Sequence, residues 1–216
     1  MKAIIFDFDG TLADTISALR EGINLTMRLH GYPEHTDDEI RSFINNGARE
    51  LVRRSIPREL QADEALLDRV YSDYNRIYGE VYLHTDRAYD GVAELVARLH
   101  GRYRIGVLSN KQDVYVKRLC EQILPSGSYD VAQGVIPGKP TKPDPFLSHL
   151  VANALGVSAS DCVMIGDSDV DFRTAQNAGM QHIGVTWGYR DEAFLRAHGA
   201  THLAHTPAEL EVLLEE

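Results

Sequence analysis

Three apolar tetrads limit what this chain can fold into, because each stops abruptly in a polar cluster. Ala3-Ile4-Ile5-Phe6 runs into Asp7-Phe8-Asp9-Gly10-Thr11. Ile105-Gly106-Val107-Leu108 runs into Ser109-Asn110-Lys111, and Cys162-Val163-Met164-Ile165 into Gly166-Asp167-Ser168-Asp169-Val170-Asp171. A strand that is apolar at every position has no face to give to water, so it belongs in a parallel sheet covered on both sides. From about residue 88 onward the covering elements are present. Val92, Leu95, Val96 and Leu99 recur at helical spacing before Gly101, and further helical stretches follow in "DVYVKRLCEQIL", "DPFLSHLVANALG", "VDFRTAQNAG", "RDEAFLRAHG" and "ELEVLLEE". Between them lie the shorter strand patterns "YDVAQG", "MQHIGVT" and "THLA". This alternation predicts an open α/β sheet, which binds ligands at the carboxyl ends of its strands.

Residues 14–86 break the rhythm, with no β-like run. Ile16, Leu19, Ile23, Met27 and His30 mark a helix that Gly31-Tyr32-Pro33 ends. Thr36 with Glu39 three residues on forms a capping box. Leu66, Val70, Tyr74, Ile77 and Val81 give the stripe of a long amphipathic helix. An all-α module at 14–86 is therefore expected to interrupt a sheet domain made of residues 1–13 and 87–216.

Composition narrows the function. A net charge of −10 over 216 residues argues against nonspecific nucleic-acid binding, which needs cations to neutralise phosphates. No stretch nears the roughly 20 apolar residues that span a bilayer, so no membrane partner is expected. The apolar start is too short for a signal peptide. Cys120 and Cys162 show neither metal spacing nor disulfide density, which fits a reducing, cytoplasmic setting. The scattered His100, His149, His182 and His198 suggest no histidine metal site.

Each polar cluster carries two readings. Asp7 and Asp9 are either a turn that leaves the core or a carboxylate pair aimed at a cation, beside which both stay ionised. In Ser109-Asn110-Lys111 the Ser109 hydroxyl either caps the next helix or holds a phosphate oxygen. In "GKPTKPDP", Lys142 is preferred to Lys139 as a point charge on a phosphoryl group, because it lies nearer the next helix. Asp167 and Asp171, at helical i+4 spacing, form an oxygen-only set suited to Mg²⁺ rather than zinc. Helix capping accounts for Asp169.

Taken in order, "DFDGT", "LSN", "KPDP" and "GDSDVD" resemble the four motifs of the haloacid dehalogenase (HAD) superfamily of aspartyl phosphohydrolases. The resemblance covers essentially the whole chain. It implies an α/β, HAD-like Rossmannoid three-layer core with a parallel sheet, and an inserted all-α cap of the C1 type. It also implies that Asp7 attacks phosphorus and that Asp9 is the acid–base partner. Asp7, the Asp9 carbonyl, Asp167 and Asp171 would hold or support Mg²⁺. Ser109 and Lys142 would bind the phosphoryl oxygens, Thr11 would orient the acid–base residue, and Asn110 would border the phosphate. The acid at position 9 disfavours the metal-free dehalogenases. The cap contains no lysine, which excludes the Schiff-base chemistry of the phosphonate-cleaving branch.

Within the family, "INNGARELVRRSI" and "TWGYR" are similar to segments of the phosphoglycolate phosphatases, although Asn45 stands where that group usually has glycine. Asn46 and Arg49 are the expected contacts to the rest of the substrate, with Arg53 four residues beyond. The expected activity is Mg²⁺-dependent hydrolysis of a small phosphorylated metabolite, phosphoglycolate first among them, by a monomer or homodimer. The alternatives are a sugar-phosphate mutase of the beta-phosphoglucomutase type, or a pyrophosphatase or nucleotidase of the same superfamily. Trp187 and Cys162 are expected to be packing residues.

Overall fold

The computed structural model describes residues 1–44, 46–85 and 87–215. Asn45, which breaks the expected glycine pattern, lies outside the described residues. The chain divides into two compact units, Met1–Asp14 with Arg87–Glu216 and Thr15–Asp86.

The first unit is a six-stranded parallel sheet. Its strands are β1 (Ala3–Phe6), β4 (Arg104–Gln112), β5 (Val131–Val135), β6 (Cys162–Gly166), β7 (Gln181–Val185) and β8 (Leu203–Ala204), in the order β5-β4-β1-β6-β7-β8. β1 is central and pairs with β4 and β6, and every one of its residues is buried. Alternate residues face opposite sides of a strand. Ala3 and Ile5 therefore share a core with Leu108, Cys162 and Met164. On that face they meet Leu147, Val151 and Leu155 from α7 (Phe146–Ala154) and its end, and Ala175 and Ala178 of α8 (Asp169–Ala178). Helix α5 (Val92–His100) packs against β4 and against α10 (Pro207–Leu213), burying the predicted Val92, Leu95, Val96 and Leu99. α6 (Asp113–Ile123) and α9 (Glu192–Ala197) complete this unit with a two-stranded antiparallel ribbon of β2 (Ala13–Asp14) and β3 (Arg87–Ala88). The ribbon escapes a pattern reading, because two residues are too short to show a period.

The second unit is helical: α1 (Ile16–His30), α2 (Asp37–Phe43), α3 (Ala48–Ser55) and α4 (Glu64–Thr85), with a short 3₁₀ turn at Arg58–Leu60. The Thr36–Glu39 capping box forms in both directions, and Gly31 ends α1 in the left-handed conformation. On α4 the buried stripe runs through Leu67, Val70, Tyr74, Ile77 and Val81. Leu67 takes the place expected of Leu66, which is only partly buried. Among the described residues no helix is long and apolar enough to cross a membrane.

Candidate active site

The polar ends of β1, β4 and β6 meet at the carboxyl edge of the sheet. Asp7 follows β1 directly, and its N–H donates to the Ile165 carbonyl (2.8 Å), so the chain is still paired with β6 when it reaches the carboxylate. Asp167 follows β6, and Asp171 lies in the first turn of α8. Oxygens of Asp7, Asp167 and Asp171, all buried, lie within 4.8 Å of one another. Lys142 is buried against them, with Nζ 2.7 Å from Asp7 Oδ1 and 2.7 Å from Asp171 Oδ1. Lys139 is exposed and lies over the Phe146 ring.

One ammonium cannot compensate three buried carboxylates, and the proton affinities reflect this. Burial, with Asp171 alongside, pushes the Asp7 carboxyl well above its usual range despite Lys142. Burial and Asp171 push Asp167 up to about 7. Burial disfavours the Lys142 ammonium, but Asp171 and Asp7 outweigh it and raise its pKa. An all-oxygen, under-compensated anionic cluster of this kind fits a hard divalent cation.

The backbone shapes the cluster. Gly10 adopts φ +83°, and a Cβ there would run into the Asp167 carboxylate, so both the turn and the close approach demand glycine. The Phe8 N–H donates to Asp7 Oδ1 (2.7 Å). The Ser168 hydroxyl (2.6 Å) and N–H (3.2 Å) both donate to Asp171 Oδ2. In this capping box Asp171 serves its own helix while presenting Oδ1 to Lys142.

Asn110 does more than border the cluster. Its amide is clamped on the Lys142 backbone, donating from Nδ2 to the carbonyl (3.0 Å) and accepting from the N–H at Oδ1 (2.9 Å). It thereby fixes the loop that carries the lysine. Ser109 is buried at the same strand end, where its Oγ accepts the Lys111 N–H (3.2 Å). The Thr11 hydroxyl donates to Asp167 Oδ1 (3.4 Å), which ties it to the metal-competent acid as well as to its own loop.

Two features go beyond the roles expected from the sequence. The first is Lys111, buried with Nζ 2.7 Å from Asp9 Oδ1. β4 does not stop where its apolar run does but continues through the polar cluster to Gln112, with a break in its pairing to β5 between Leu108 and Gln112. Such irregularities re-aim side chains. The second is the Trp187–Tyr189 segment after β7. Trp187 Nε1 donates to the Thr11 carbonyl (3.1 Å), and the Tyr189 N–H donates to Asp167 Oδ2 (2.7 Å). A Cβ on Gly188 would strike the Gly10 carbonyl and the Asp167 side chain. Trp187 is thus a brace on the Asp7–Thr11 loop rather than plain packing, whereas Cys162 is a core residue.

The cap candidates belong to the helical unit. Arg49 donates to Glu64 (2.7 Å) and Asp68 (2.7 Å), and Arg53 donates to Glu64 and to the Gln61 carbonyl. Both guanidinium groups are thus engaged by acceptors of their own unit. Asn46 is exposed.

The fold and this cluster define a class, and sequence comparison agrees. The profile of the haloacid dehalogenase-like hydrolases matches residues 4–185, so the chain belongs to that family. The chain is 32% identical to a phosphoglycolate phosphatase of Photobacterium profundum over 88% of this chain and 85% of that one. It is 27% identical to that of Vibrio parahaemolyticus over 97% and 94%. Among solved structures, a Lactobacillus delbrueckii protein provisionally assigned as a phosphoglycolate phosphatase superposes with a TM-score of 0.91. It is 31% identical and covers 99% of this chain and 98% of that chain.

Proposed function

We propose that this chain is a Mg²⁺-dependent phosphatase that hydrolyses a small phosphorylated metabolite, phosphoglycolate being the leading candidate, through an aspartyl-phosphate on Asp7. The observation that carries the reading is the buried Asp7–Asp167–Asp171 cluster with Lys142 bridging two of its acids. A structural ion pair has no use for two further acids, and a binding module has no use for a buried carboxylate of raised proton affinity beside an ammonium.

In this reading an Asp7 oxygen attacks phosphorus in line with the ester bond, and the alcohol departs with a proton from Asp9. Asp9, now a carboxylate, then takes a proton from the water that cleaves the aspartyl-phosphate. Lys142 and the Ser109 hydroxyl hold the equatorial oxygens as charge moves onto them. A cation held by Asp7, Asp167, Asp171 and the Asp9 carbonyl would offset the repulsion between an anionic nucleophile and an anionic phosphate. Phosphoglycolate comes first because relatives aligned along most of the chain are phosphoglycolate phosphatases. A beta-phosphoglucomutase-like protein from Thermotoga maritima shares the fold, with a TM-score of 0.74 at 24% identity, and lends the mutase reading nothing beyond that.

The test is phosphate release across a panel of phosphorylated metabolites, with Mg²⁺ and with chelator, and with Asp7→Asn as the blank. Turnover of phosphoglycolate that chelator and Asp7→Asn both abolish is the expected result. Turnover by the Asn variant at the wild-type rate would overturn the mechanism.

A further inference from the structure

The mechanism leaves one buried cation without a role. Lys111 has a side chain only 5% exposed, and its Nζ lies 2.7 Å from Asp9 Oδ1, whose own side chain is 20% exposed. Burying an ammonium is costly, and a pair with a carboxylate that is itself largely withdrawn from water does not by itself stabilise the fold. The Lys142 ammonium lies on Asp7 and Asp171, so the two lysines divide the site between the nucleophile and the neighbouring acid. Lys111 also comes from the irregular stretch of β4 that supplies Ser109 and Asn110. Two short links tie it down: its N–H lies on Ser109 Oγ, and its ammonium on Asp9.

We propose that Lys111 is a positioning residue for Asp9, pinning its carboxyl group in the orientation from which it serves the leaving oxygen. This rests on the reading of Asp9 as the acid–base group. A proton donor must lie within hydrogen-bond reach of the departing oxygen, and a displacement near 1 Å can cost about a hundredfold. Asp9 stands on a loop just before Gly10, a residue of high backbone freedom, and the lysine ties that loop to the rigid sheet.

The experiment exploits the leaving group. As the phosphoryl group passes to Asp7, an alkyl ester must expel an alkoxide and needs the proton, whereas p-nitrophenyl phosphate expels a stable phenolate and needs it little. Values of kcat/KM report the step that phosphorylates Asp7, where this difference is felt. Wild type, Lys111→Met and Lys111→Arg are compared on p-nitrophenyl phosphate and on whichever alkyl phosphate the wild type turns over fastest. The expected result is that Lys111→Met loses at least tenfold more on the alkyl ester than on the aryl ester. Lys111→Arg should recover most of the loss, and Asp9→Asn should show the same selectivity. Adding Lys111→Met to Asp9→Asn should then cost little further, because both changes remove one function. Equal losses on both esters would reduce Lys111 to a structural role and overturn the proposal. So would a rise in KM with kcat kept, which would mark a contact to substrate. Should Lys111→Met not fold, Lys111→Arg and Asp9→Asn carry the comparison, and an Arg variant as indifferent to the leaving group as wild type while Asp9→Asn is selective is the supporting outcome. An Arg variant that loses equally on both esters overturns the proposal. Wild type inert on both esters would refute the phosphatase reading itself.

Discussion

His182 makes a sharp test of the electrostatics of the core. Its ring on β7 lies edge-on to Phe172, with centroids 5.6 Å apart at 81°, and neither ring nitrogen has a hydrogen-bond partner. Burial lowers its pKa from 6.5 to about 4, although Asp171 pulls the other way. The unfolded chain therefore binds a proton at a pH where the folded chain does not, and stability falls as pH drops from 6.5 towards 4. Linkage gives a loss of about 2 kcal/mol between pH 7.5 and pH 5, or about 4–8 °C in Tm for a chain of this size. Asp167 works in the opposite sense. Its folded pKa, raised to about 7 from 3.8, makes the folded state gain stability as pH falls. The informative quantity is thus a double difference: the change in Tm from pH 7.5 to 5.0 for wild type minus that for His182→Leu. Both are followed in chelator by the fluorescence of Trp187, the chain's single tryptophan, which reports the sheet unit. Removing two unpaired buried nitrogens should leave the variant at least as stable as wild type at pH 7.5 and distinctly less sensitive to acid. If both proteins lose the same amount, His182 is not the buried base that its surroundings make it.

Two other perturbations bear on the cluster. Lys142→Met strands the carboxylates of Asp7 and Asp171, whose side chains are 9% and 0% exposed. It should cost about 3–5 kcal/mol in chelator, and Mg²⁺ should restore part of the loss; a melt indifferent to Mg²⁺ would contradict the account of the site. Gly10→Ala forces a side chain into a left-handed turn and against the Asp167 carboxylate. It should lose at least about 1 kcal/mol of stability and weaken Mg²⁺ binding by titration calorimetry, so unchanged affinity would argue that Asp167 is no ligand.

Much of this was legible because burial imposes itself on composition. A strand covered on both faces has to be apolar throughout, so β1, β4 and β6 announced themselves, and their polar ends marked the edge of the sheet. The helix stops were equally plain: Gly31 closes α1 and Gly179 closes α8, both left-handed. What could not be read depends on geometry across the chain. No local pattern says that Asn110 grips the backbone of Lys142, 32 residues away. None says that Trp187 reaches the Thr11 carbonyl, 176 residues away. Nor does any local pattern say that Lys111 reaches Asp9, 102 residues away. A spacing of four describes one helix face for Arg49 and Arg53, but it does not show that Glu64 on another helix engages both, or that Glu50 beside them engages Arg53.

Net charge was a poor guide to the site for a related reason. A chain at −10 should repel a phosphate ester at long range, yet what the ester meets is set by the groups within a Debye length. There the four aspartates at positions 7, 9, 167 and 171 face two buried ammonium groups, Lys111 and Lys142. Counted as ionised, they leave an excess of two negative charges, which one divalent cation would cancel. Burial, with Asp171 alongside, raises the proton affinities of both Asp7 and Asp167, and a divalent cation would oppose that rise. A protonated Asp7 is no nucleophile. Chelation should therefore do more than remove an electrophilic partner for the phosphate: it should leave Asp7 with the higher proton affinity that burial and Asp171 impose on it. Activity remaining at low Mg²⁺ should rise with pH more steeply than activity at saturating Mg²⁺. Parallel pH profiles at the two concentrations would show that the ion does not govern the charge on Asp7.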